Sequence, residues 1–352
     1  MLVRWGGGVR QAGVLDVGCH SALLTVARRG KGGRLTFVST RKVRLGLHHA
    51  LGDDGRLRRA GIRSVEQAVA GAVAEAAAGG PRLRPEEVFP FATSVIRDAP
   101  NREEVVSRVA RATGVRLRVL PGEEEARLAY VAARRWAGAG AEPLLVLDVG
   151  GGTVEVAAGS GVRPDRVVSL PLGARRVTRD LLPYGVARSA AHLDRVRARL
   201  RRSLAAVEGG LPCAPAGGHA VACSKTFTQL ARLAAAGSGT GSGMGSASGI
   251  GSASGTGSAS GSGSARSWRE LTLPALRATI PLLARTGVAA RGELPGITPH
   301  RAEQSLAGAL VAEALMESCA VTTLTVCPWS TREGLLLEAL DAPAATAVRH
   351  AA

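Results

Sequence analysis

The sequence contains few aromatic residues, which make up 3% of its 352 positions. Proteins that bind single-stranded nucleic acid stack bases on aromatic side chains, so this scarcity disfavours that class of function. Lysine is also rare, with three residues (Lys31, Lys42 and Lys225) among 45 Lys and Arg. Arginine therefore carries most of the formal net charge of +17, an excess that favours a polyanionic partner: nucleic acid, polyphosphate or an acidic membrane face. Because aromatic residues are scarce, a ligand made of phosphate groups fits better than nucleic acid.

Cysteine pairs and long apolar runs are absent. The five cysteines are odd in number and widely spaced, and no two form a Cys-x-x-Cys pair, which argues against a zinc site and a disulfide framework. No segment has 18 consecutive apolar residues, and residues 1–8 lack the basic and apolar regions of a signal peptide. These absences predict a soluble cytoplasmic protein with no membrane partner. The apolar fraction of 45% is enough to bury a sizeable core.

One pentapeptide, Val-Leu-Asp-Val-Gly, occurs twice, at residues 14–18 and 146–150. Each copy ends a strand-like apolar run, and a β-rich stretch follows it at 23–27 and at 153–157, as expected for a returning hairpin. The shared context makes a chance match less plausible and indicates two similar half-molecules.

Strand and helix signals alternate along both halves, which predicts an α/β fold. Ser64 and Gln67 form a capping-box pattern before a helix that Gly79 and Gly80 end, and Asn101 with Glu104 does the same before a helix that stops at Gly114. The other predicted elements are strands at 88–94 and 115–120, a helix at 123–137, strands at 167–170 and 220–224, a basic helix at 187–207, a helix from 227, a helix at 299–319, a strand at 321–326 and a helix at 330–340.

We expect two lobes, at residues 11–138 and 142–341. Residues 237–264 are almost entirely Gly, Ser and Ala, a composition that cannot bury a core, so they are predicted to form a flexible surface insertion within the second lobe. Residues 342–352 are predicted to be a disordered tail.

The segment 148–153, Asp-Val-Gly-Gly-Gly-Thr, follows an apolar strand. Consecutive glycines let backbone N–H groups approach a phosphate, and Thr153 adds a hydroxyl. Glu155 shares a strand face with Thr153, so it can reach a metal ion held by Asp148. A tight glycine turn without a ligand is the alternative, and the paired motif at Asp16 favours a site over it.

Two further segments carry charge that local structure explains only in part. Ser94 and Arg97 lie near a strand end before a helix N-terminus, where an anion is favoured, and helix capping does not account for Arg97. Residues 123–125 are three glutamates that open a helix. Compensation of the helix dipole is the simpler account of this run, whereas a general base for water attack on phosphate is the functional one.

The histidines show no ligand spacing and are expected in turns or at the surface. His20 stands apart because it follows the first Asp-x-Gly motif. The basic helix is either a solvated face or a guide for a long polyanion, and its arginines are Arg195, Arg197, Arg199, Arg201 and Arg202.

Taken together, these motifs resemble the exopolyphosphatase and guanosine pentaphosphate phosphatase family, in particular its short two-domain actinobacterial members. The matching segments are 14–18, 92–101, 122–128, 148–155, 169–174, 224–227 and 332–335. The resemblance implies two actin-like (ribonuclease-H-like) lobes with a phosphate-binding cleft between them, Mg²⁺ as cofactor, and release of terminal orthophosphate from linear inorganic polyphosphate. Dimerisation is a tendency of this family.

By the same resemblance Glu125 would be the catalytic base, and Asp148 and Glu155, together with Asp16, would hold the metal. The residues that would bind substrate are Gly18, Cys19, His20, Ser21, Arg44, Ser94, Arg97, Gly150, Gly151, Gly152, Thr153 and Lys225.

The chain departs from the family pattern in its first loop. The family reads Asp-x-Gly-Ser-Asn followed by Ser or Thr, and here Cys19 and His20 stand where Ser and Asn are usual. Cysteine weakens a hydrogen bond and histidine adds bulk and a titratable ring. These changes motivate a non-catalytic polyphosphate-binding protein as one alternative, and hydrolysis of guanosine pentaphosphate is another. An actin-like ATPase or sugar kinase is less favoured because the adenosine-binding glycine pair is not evident.

Overall fold

A computed structural model of the chain describes residues 11–30, 35–78, 87–138, 142–213, 218–238 and 269–341. The predicted tail at 342–352 lies outside these residues, as does the predicted insertion beyond residue 238. Gly237 and Ser238, the first two residues of that insertion, belong to a helix.

The first half of the chain forms a five-stranded sheet with the order β3-β2-β1-β4-β5. Its strands are β1 (Gln11–Val17), β2 (Ser21–Arg29), β3 (Leu35–Arg44), β4 (Val88–Ala92) and β5 (Arg118–Val119). Its helices are α1 (Arg59–Ala78), α2 (Ser94–Arg97), α3 (Arg102–Thr113) and α4 (Gly122–Ala137). Strands β1, β2 and β3 form an antiparallel meander, and β4 lies parallel to β1.

The second half forms a six-stranded sheet with the order β10-β11-β9-β6-β7-β8. Its strands are β6 (Leu144–Val149), β7 (Val154–Gly159), β8 (Arg166–Leu170), β9 (His219–Cys223), β10 (Glu270–Thr272) and β11 (Thr323–Val326). Its helices are α5 (Ala174–Leu181), α6 (Ala190–Ala205), α7 (Ser224–Ser238), α8 (Leu273–Arg285), α9 (Val288–Arg291), α10 (Ser305–Ser318) and α11 (Thr331–Asp341).

The predicted duplication and the α/β class are confirmed. Strands β6, β7 and β8 repeat the meander of β1, β2 and β3, and β9 lies parallel to β6 as β4 does to β1. The equivalence extends to single positions, since Asp16 pairs across the sheet with Leu23 and Asp148 pairs with Glu155. The two sheets therefore place equivalent aspartates at the ends of equivalent strands.

The predicted capping box at Ser64 is wrong. Helix α1 begins five residues earlier, at Arg59, and the Ser64 hydroxyl donates to the Ala60 carbonyl inside the helix. Ile62 and Val65 are fully buried, so packing of their side chains extends the helix towards its N-terminus, past the capping-box residues. The helix that starts after Asn101 is confirmed. The Asn101 side chain bonds the Leu57 backbone and donates to the Glu104 carboxylate at 3.2 Å, but it caps no backbone N–H of its helix.

Apolar side chains pack on both faces of each sheet except along β3, most of whose residues are exposed. Helices α1 and α3 cover one face of the first sheet, and helices α5, α6, α7, α8 and α10 cover one face of the second. Helix α4 buries Leu128 towards the first sheet and Ala129, Tyr130 and Ala133 towards the second, so it lies between the sheets. Helix α11 packs beside α4 and places Leu336 against the first sheet. The division of the chain into lobes at residues 11–138 and 142–341 stays a prediction.

The arginines of the basic helix α6 are either paired with glutamates of α10 or exposed to solvent. Arg197 pairs with Glu313 at 2.8 Å and Arg201 pairs with Glu317 at 3.0 Å, which ties α6 to α10. Arg195, Arg199 and Arg202 are exposed. Among the described residues, no helix is long and apolar enough to cross a bilayer.

Candidate active site

Four carboxylates, three of them buried and Asp16 half-buried, lie around the cleft between the two sheets. Asp16 lies at the end of β1, Asp148 at the end of β6, Glu155 on β7, and Glu125 in the first turn of α4. Burial raises the pKa of Asp16 and of Asp148 to about 6 each. Burial and then the charge of Asp148 raise the pKa of Glu155 to about 8. Desolvated carboxylates whose charges raise one another's pKa favour a bound proton or a bound cation.

Glu125 combines burial with a direct arginine contact. Its pKa is raised well above the usual value by burial and then by the charge of Glu155, and the neighbouring Arg97 guanidinium opposes this shift. Arg97 Nη1 donates to Glu125 Oε1 and also to the Leu120 carbonyl at 3.1 Å. Its Nη2 donates to Thr153 Oγ1 at 3.3 Å. Arg97 therefore joins the glutamate to the glycine loop of the second sheet.

The glycine loop at 150–152 packs against the start of helix α5. The Ala174 N–H donates to the Gly150 carbonyl at 2.9 Å, and the Gly150 N–H donates to the Thr153 carbonyl at 2.9 Å. Within the described residues the N–H groups of Gly151 and Gly152 have no such partner. Such unpaired backbone donors in a glycine loop are the groups that can bind an anion.

Two serines fix the carboxylates of the second sheet. Ser330 Oγ, just before α11, donates to Asp148 Oδ2 at 2.6 Å. Ser169 Oγ on β8 donates to Glu155 Oε1 at 3.1 Å. Glu333 accepts from the Ser330 N–H at 2.9 Å, as in half of a capping box, which leaves the Ser330 hydroxyl free to reach Asp148.

The first loop, at Gly18, Cys19 and His20, lies against the second half of the chain. Arg175 Nη1, at the start of α5, donates to Cys19 Sγ. His20 Nε2 lies 3.3 Å from Gln304 Nε2, and its ring is 5.7 Å from the ring of His300. The Gly18 N–H donates to the Ser21 carbonyl at 3.0 Å, so this backbone donor is used within the loop.

The remaining predicted binding residues lie around the same cleft. Arg44 pairs with Ser21 across β3 and β2, and it lines a cavity of about 130 Å³ together with His20. Desolvation and then the charges of Arg332 and Arg301 lower the pKa of Lys225, at the start of α7.

A wider cavity of about 400 Å³ opens beside Arg97 and Thr153. Its rim includes an ion pair between Asp98 and Arg176 at 2.6 Å, which joins the two halves of the chain. Gly122, at the start of α4, lines it as well, and a Cβ there would collide with Ser169. The cavity therefore lies next to the carboxylates, because Arg97 and Ser169 on its wall bond Glu125 and Glu155.

Comparison with known proteins identifies the family to which the chain is related. The family model described as "Ppx/GppA phosphatase family" matches residues 25–342. The chain belongs to the Ppx/GppA phosphatase family. Exopolyphosphatase 1 of Mycobacterium tuberculosis is 38% identical over 340 residues, which cover 94% of this chain and 89% of that protein. Exopolyphosphatase 1 of Mycobacterium leprae is 38% identical over 336 residues, with 94% and 90% covered.

Solved structures agree on the fold. The Ppx/GppA family member of Aquifex aeolicus has a TM-score of 0.72 at 23% identity and covers 94% of this chain and 97% of its own. An exopolyphosphatase from Cytophaga hutchinsonii has a TM-score of 0.69 at 17% identity, with 94% and 98% covered. The predicted fold class of two actin-like lobes is confirmed.

Several cleft residues of this Ppx/GppA phosphatase were not predicted from the sequence to have a role in the site. Arg175 lies one residue past the matched segment 169–174, and its contact with Cys19 joins positions 156 residues apart. Ser330 precedes the matched segment 332–335, and no local pattern links it to Asp148. Arg332 lies within the matched segment 332–335 but was given no role there. It is half-buried near Asp16 and lowers the pKa of that carboxyl, although burial of Asp16 dominates the shift. His48 joins Cys19 through the fold alone, since Sγ and Nδ1 lie 3.5 Å apart.

The carboxylates suit the Mg²⁺ ion that the resemblance implies. Mg²⁺ prefers hard oxygen ligands and in phosphoryl-transfer sites takes one or two carboxylates, with water and substrate phosphates completing its shell. Asp148 and Glu155 face each other across β6 and β7, and both are desolvated, so a cation there would offset a raised pKa on each. Asp16 lies on the other sheet and would extend this donor set.

Proposed function

We propose that this protein is an exopolyphosphatase, which releases terminal orthophosphate from linear inorganic polyphosphate. The observation that carries the proposal is the buried Glu125 joined through Arg97 to Thr153 beside the glycine loop. The relatives named exopolyphosphatase, which share 38% of their residues with it over most of both chains, support the same substrate.

Each of these cleft residues has a separate role in the reaction. The N–H groups of Gly151 and Gly152 and the Thr153 hydroxyl bind the terminal phosphoryl group, and Arg97 offsets its negative charge. Glu125 accepts a proton from water, whose oxygen forms a bond to phosphorus as the bridging P–O bond breaks. The shortened chain leaves with the bridging oxygen. A raised pKa suits Glu125 to this role because a general base works best near the operating pH.

Asp148 and Glu155, with Asp16, are the residues that would hold Mg²⁺. When bound, this ion would neutralise charge on the phosphate oxygens. Ser330 and Ser169 orient the two carboxylates of the second sheet towards it. A cytoplasmic location suits the five cysteines, all of which are free.

The test measures phosphate release from polyphosphate, guanosine pentaphosphate and ATP in parallel, with and without Mg²⁺. We expect Mg²⁺-dependent release from polyphosphate, and a loss of about 10²- to 10⁴-fold in Glu125→Gln, as is typical when a general base is removed. Glu124→Gln is the matched control, because Glu124 faces Arg127 at 2.8 Å on the same helix turn. Equal activity in the two variants would refute the assignment of Glu125 as the general base. Faster phosphate release from guanosine pentaphosphate than from polyphosphate would show that guanosine pentaphosphate is the preferred substrate.

A further inference from the structure

Cys19, His20 and His48 form a compact group of metal-ligating side chains, here called the Cys19 cluster. One ligand atom from each residue lies within 4.8 Å of the others. This is the one group of at least three His, Cys, Asp or Glu ligands in such proximity within the part of the chain that the structure describes. No local sequence pattern predicts it, because His48 lies 29 positions after Cys19.

The spacing matches the coordination shell of a tetrahedral ion. Sulfur at about 2.3 Å and nitrogen at about 2.0 Å from Zn²⁺, at tetrahedral angles, lie roughly 3.5 Å apart. The observed distance from Cys19 Sγ to His48 Nδ1 is 3.5 Å. The rings of His20 and His48 meet edge to face with centroids 4.8 Å apart, so a small rotation would bring the second nitrogen into the shell.

The backbone holds the cluster in place without a metal. The Leu47 N–H donates to the Cys19 carbonyl at 2.8 Å, and the Leu45 N–H donates to the His20 carbonyl at 3.0 Å. Leu47 is fully buried, which anchors the short helical turn that carries His48. Gly46 takes a left-handed conformation with φ of 60° and turns the chain into this helix. The ligands are therefore positioned by secondary structure and not by surface rotamers.

The chemistry of the three ligands selects a thiophilic cation. A thiol and two imidazoles suit Zn²⁺, whereas Mg²⁺ prefers oxygen ligands and the cluster contains no carboxylate. Burial lowers the pKa of His20 to about 3 and of His48 to about 4, so both imidazoles are neutral and keep a lone pair. Burial raises the pKa of the Cys19 thiol, and the Arg175 guanidinium, which donates to Cys19 Sγ, opposes this shift, so the ion has to displace the thiol proton. Loss of the thiol proton to solvent on binding would offset one charge of the ion.

A small cavity and one open coordination position complete the site. The 130 Å³ cavity beside the cluster is lined by His20, His48 and His300, together with the cationic Lys42 and Arg44. Three protein ligands leave the fourth tetrahedral position to a water molecule.

We propose that Cys19, His20 and His48 bind one Zn²⁺ ion, and that the bound ion closes the first phosphate loop to substrate, because it engages the thiol and the imidazole of two predicted substrate-binding residues, Cys19 and His20. Cys19 and His20 are the two positions at which this loop departs from the family pattern, so the site would be particular to this chain and not general to the family. Binding does not depend on the proposed function, whereas the inhibitory consequence rests on it.

The binding experiment uses the full chain after chelator treatment. Zn²⁺ is titrated against a competing chromophoric chelator, and bound metal is counted by elemental analysis after gel filtration. We expect one tight equivalent in the wild type and at least about 100-fold weaker binding in Cys19→Ser and in His48→Ala, because even outer partners of a metal site are worth about 10- to 100-fold. Circular dichroism and thermal unfolding verify that each variant folds.

Two variants serve as controls. Cys213→Ser removes the exposed cysteine, and His49→Ala removes the ring that stacks on His48 at 3.9 Å without joining the cluster. Both should retain the tight equivalent. Co²⁺ in place of Zn²⁺ should give a thiolate-to-metal absorption band that Cys19→Ser abolishes. Absence of that band in the wild type, or equal Zn²⁺ affinity in all variants, would overturn the site.

The inhibition experiment titrates Zn²⁺ into the phosphate-release assay at fixed Mg²⁺. We expect inhibition of the wild type, and a concentration for half-inhibition at least tenfold higher in Cys19→Ser and His48→Ala, each measured against its own zinc-free rate. Equal sensitivity would overturn the closing of the loop while leaving the binding result to stand. If no substrate releases phosphate, the proposed function fails, and the chelator titration still decides the site.

Discussion

A methyl group added at Gly152 would meet the side chain of Ser94. A Cβ at this position lies 2.5 Å from Ser94 Oγ and 2.8 Å from Ser94 Cβ, distances at which atoms must move. The neighbouring Gly151 provides a matched comparison, because a Cβ there would lie 4.0 Å from the nearest atom, on Arg175, which is an ordinary contact. Neither glycine has a positive φ, so the comparison isolates the steric effect.

The magnitudes follow from this difference. Forcing a methyl group into a packed interface costs about 1–3 kcal/mol, so Gly152→Ala should lose that much free energy of unfolding. Gly151→Ala meets no clash and should be neutral or gain up to about 1 kcal/mol from the less flexible unfolded chain. Because Gly152 N–H is a proposed phosphate donor, a shift of about 1 Å in the loop should lower kcat/KM about 100-fold.

The assay measures urea-induced unfolding and kcat/KM for both variants. A double variant that adds Ser94→Gly removes both colliding atoms, and it should recover most of the lost stability in a double-mutant cycle. Equal stability of Gly152→Ala and Gly151→Ala, or no coupling between residues 152 and 94, would refute the close approach of the loop to α2.

Two further predictions concern positioning and packing. Ser330→Ala removes the 2.6 Å hydrogen bond to Asp148, so the Mg²⁺ concentration for half-maximal activity should rise about 10- to 100-fold. An unchanged Mg²⁺ requirement would contradict the positioning role. Leu336→Ala empties a fully buried site between α11 and the first sheet and should cost about 2–5 kcal/mol in urea unfolding. Val162→Ala, at a position 76% exposed, should stay within about 0.5 kcal/mol of the wild type, and a similar loss in both would contradict the packing.

Much of the fold and the core of the site could be predicted from the sequence because their signals are local. Asp16 and Asp148 each end an apolar strand within a repeated pentapeptide, and the glycines at 150–152 follow directly. The strand pairing that brings Glu155 opposite Asp148 follows from a hairpin of few residues. The structure accordingly places all of these residues at the cleft.

The remainder depends on contacts between distant segments. Ser64 and Gln67 match a capping box, but α1 begins earlier, at Arg59. The buried Ile62 shows that tertiary packing stabilises this earlier first turn. Arg175, Ser330 and His48 reach the site from other elements, and each bonds a residue far away in the chain. No spacing rule applies to such pairs, because the fold and not the sequence interval sets their distance.

The position of α11 has a consequence for synthesis of the chain. This last helix covers the apolar side chains of Val14 and Phe91 on the first sheet, yet residue 331 follows residue 138 by about 190 residues. At about 5–20 residues per second, the ribosome needs roughly 10–40 s to add that length. During this time the face of the first sheet lacks its final cover, so the first lobe cannot complete its folding as an independent unit. Completion of both lobes is therefore a single late event, which occurs once α11 has emerged from the ribosome.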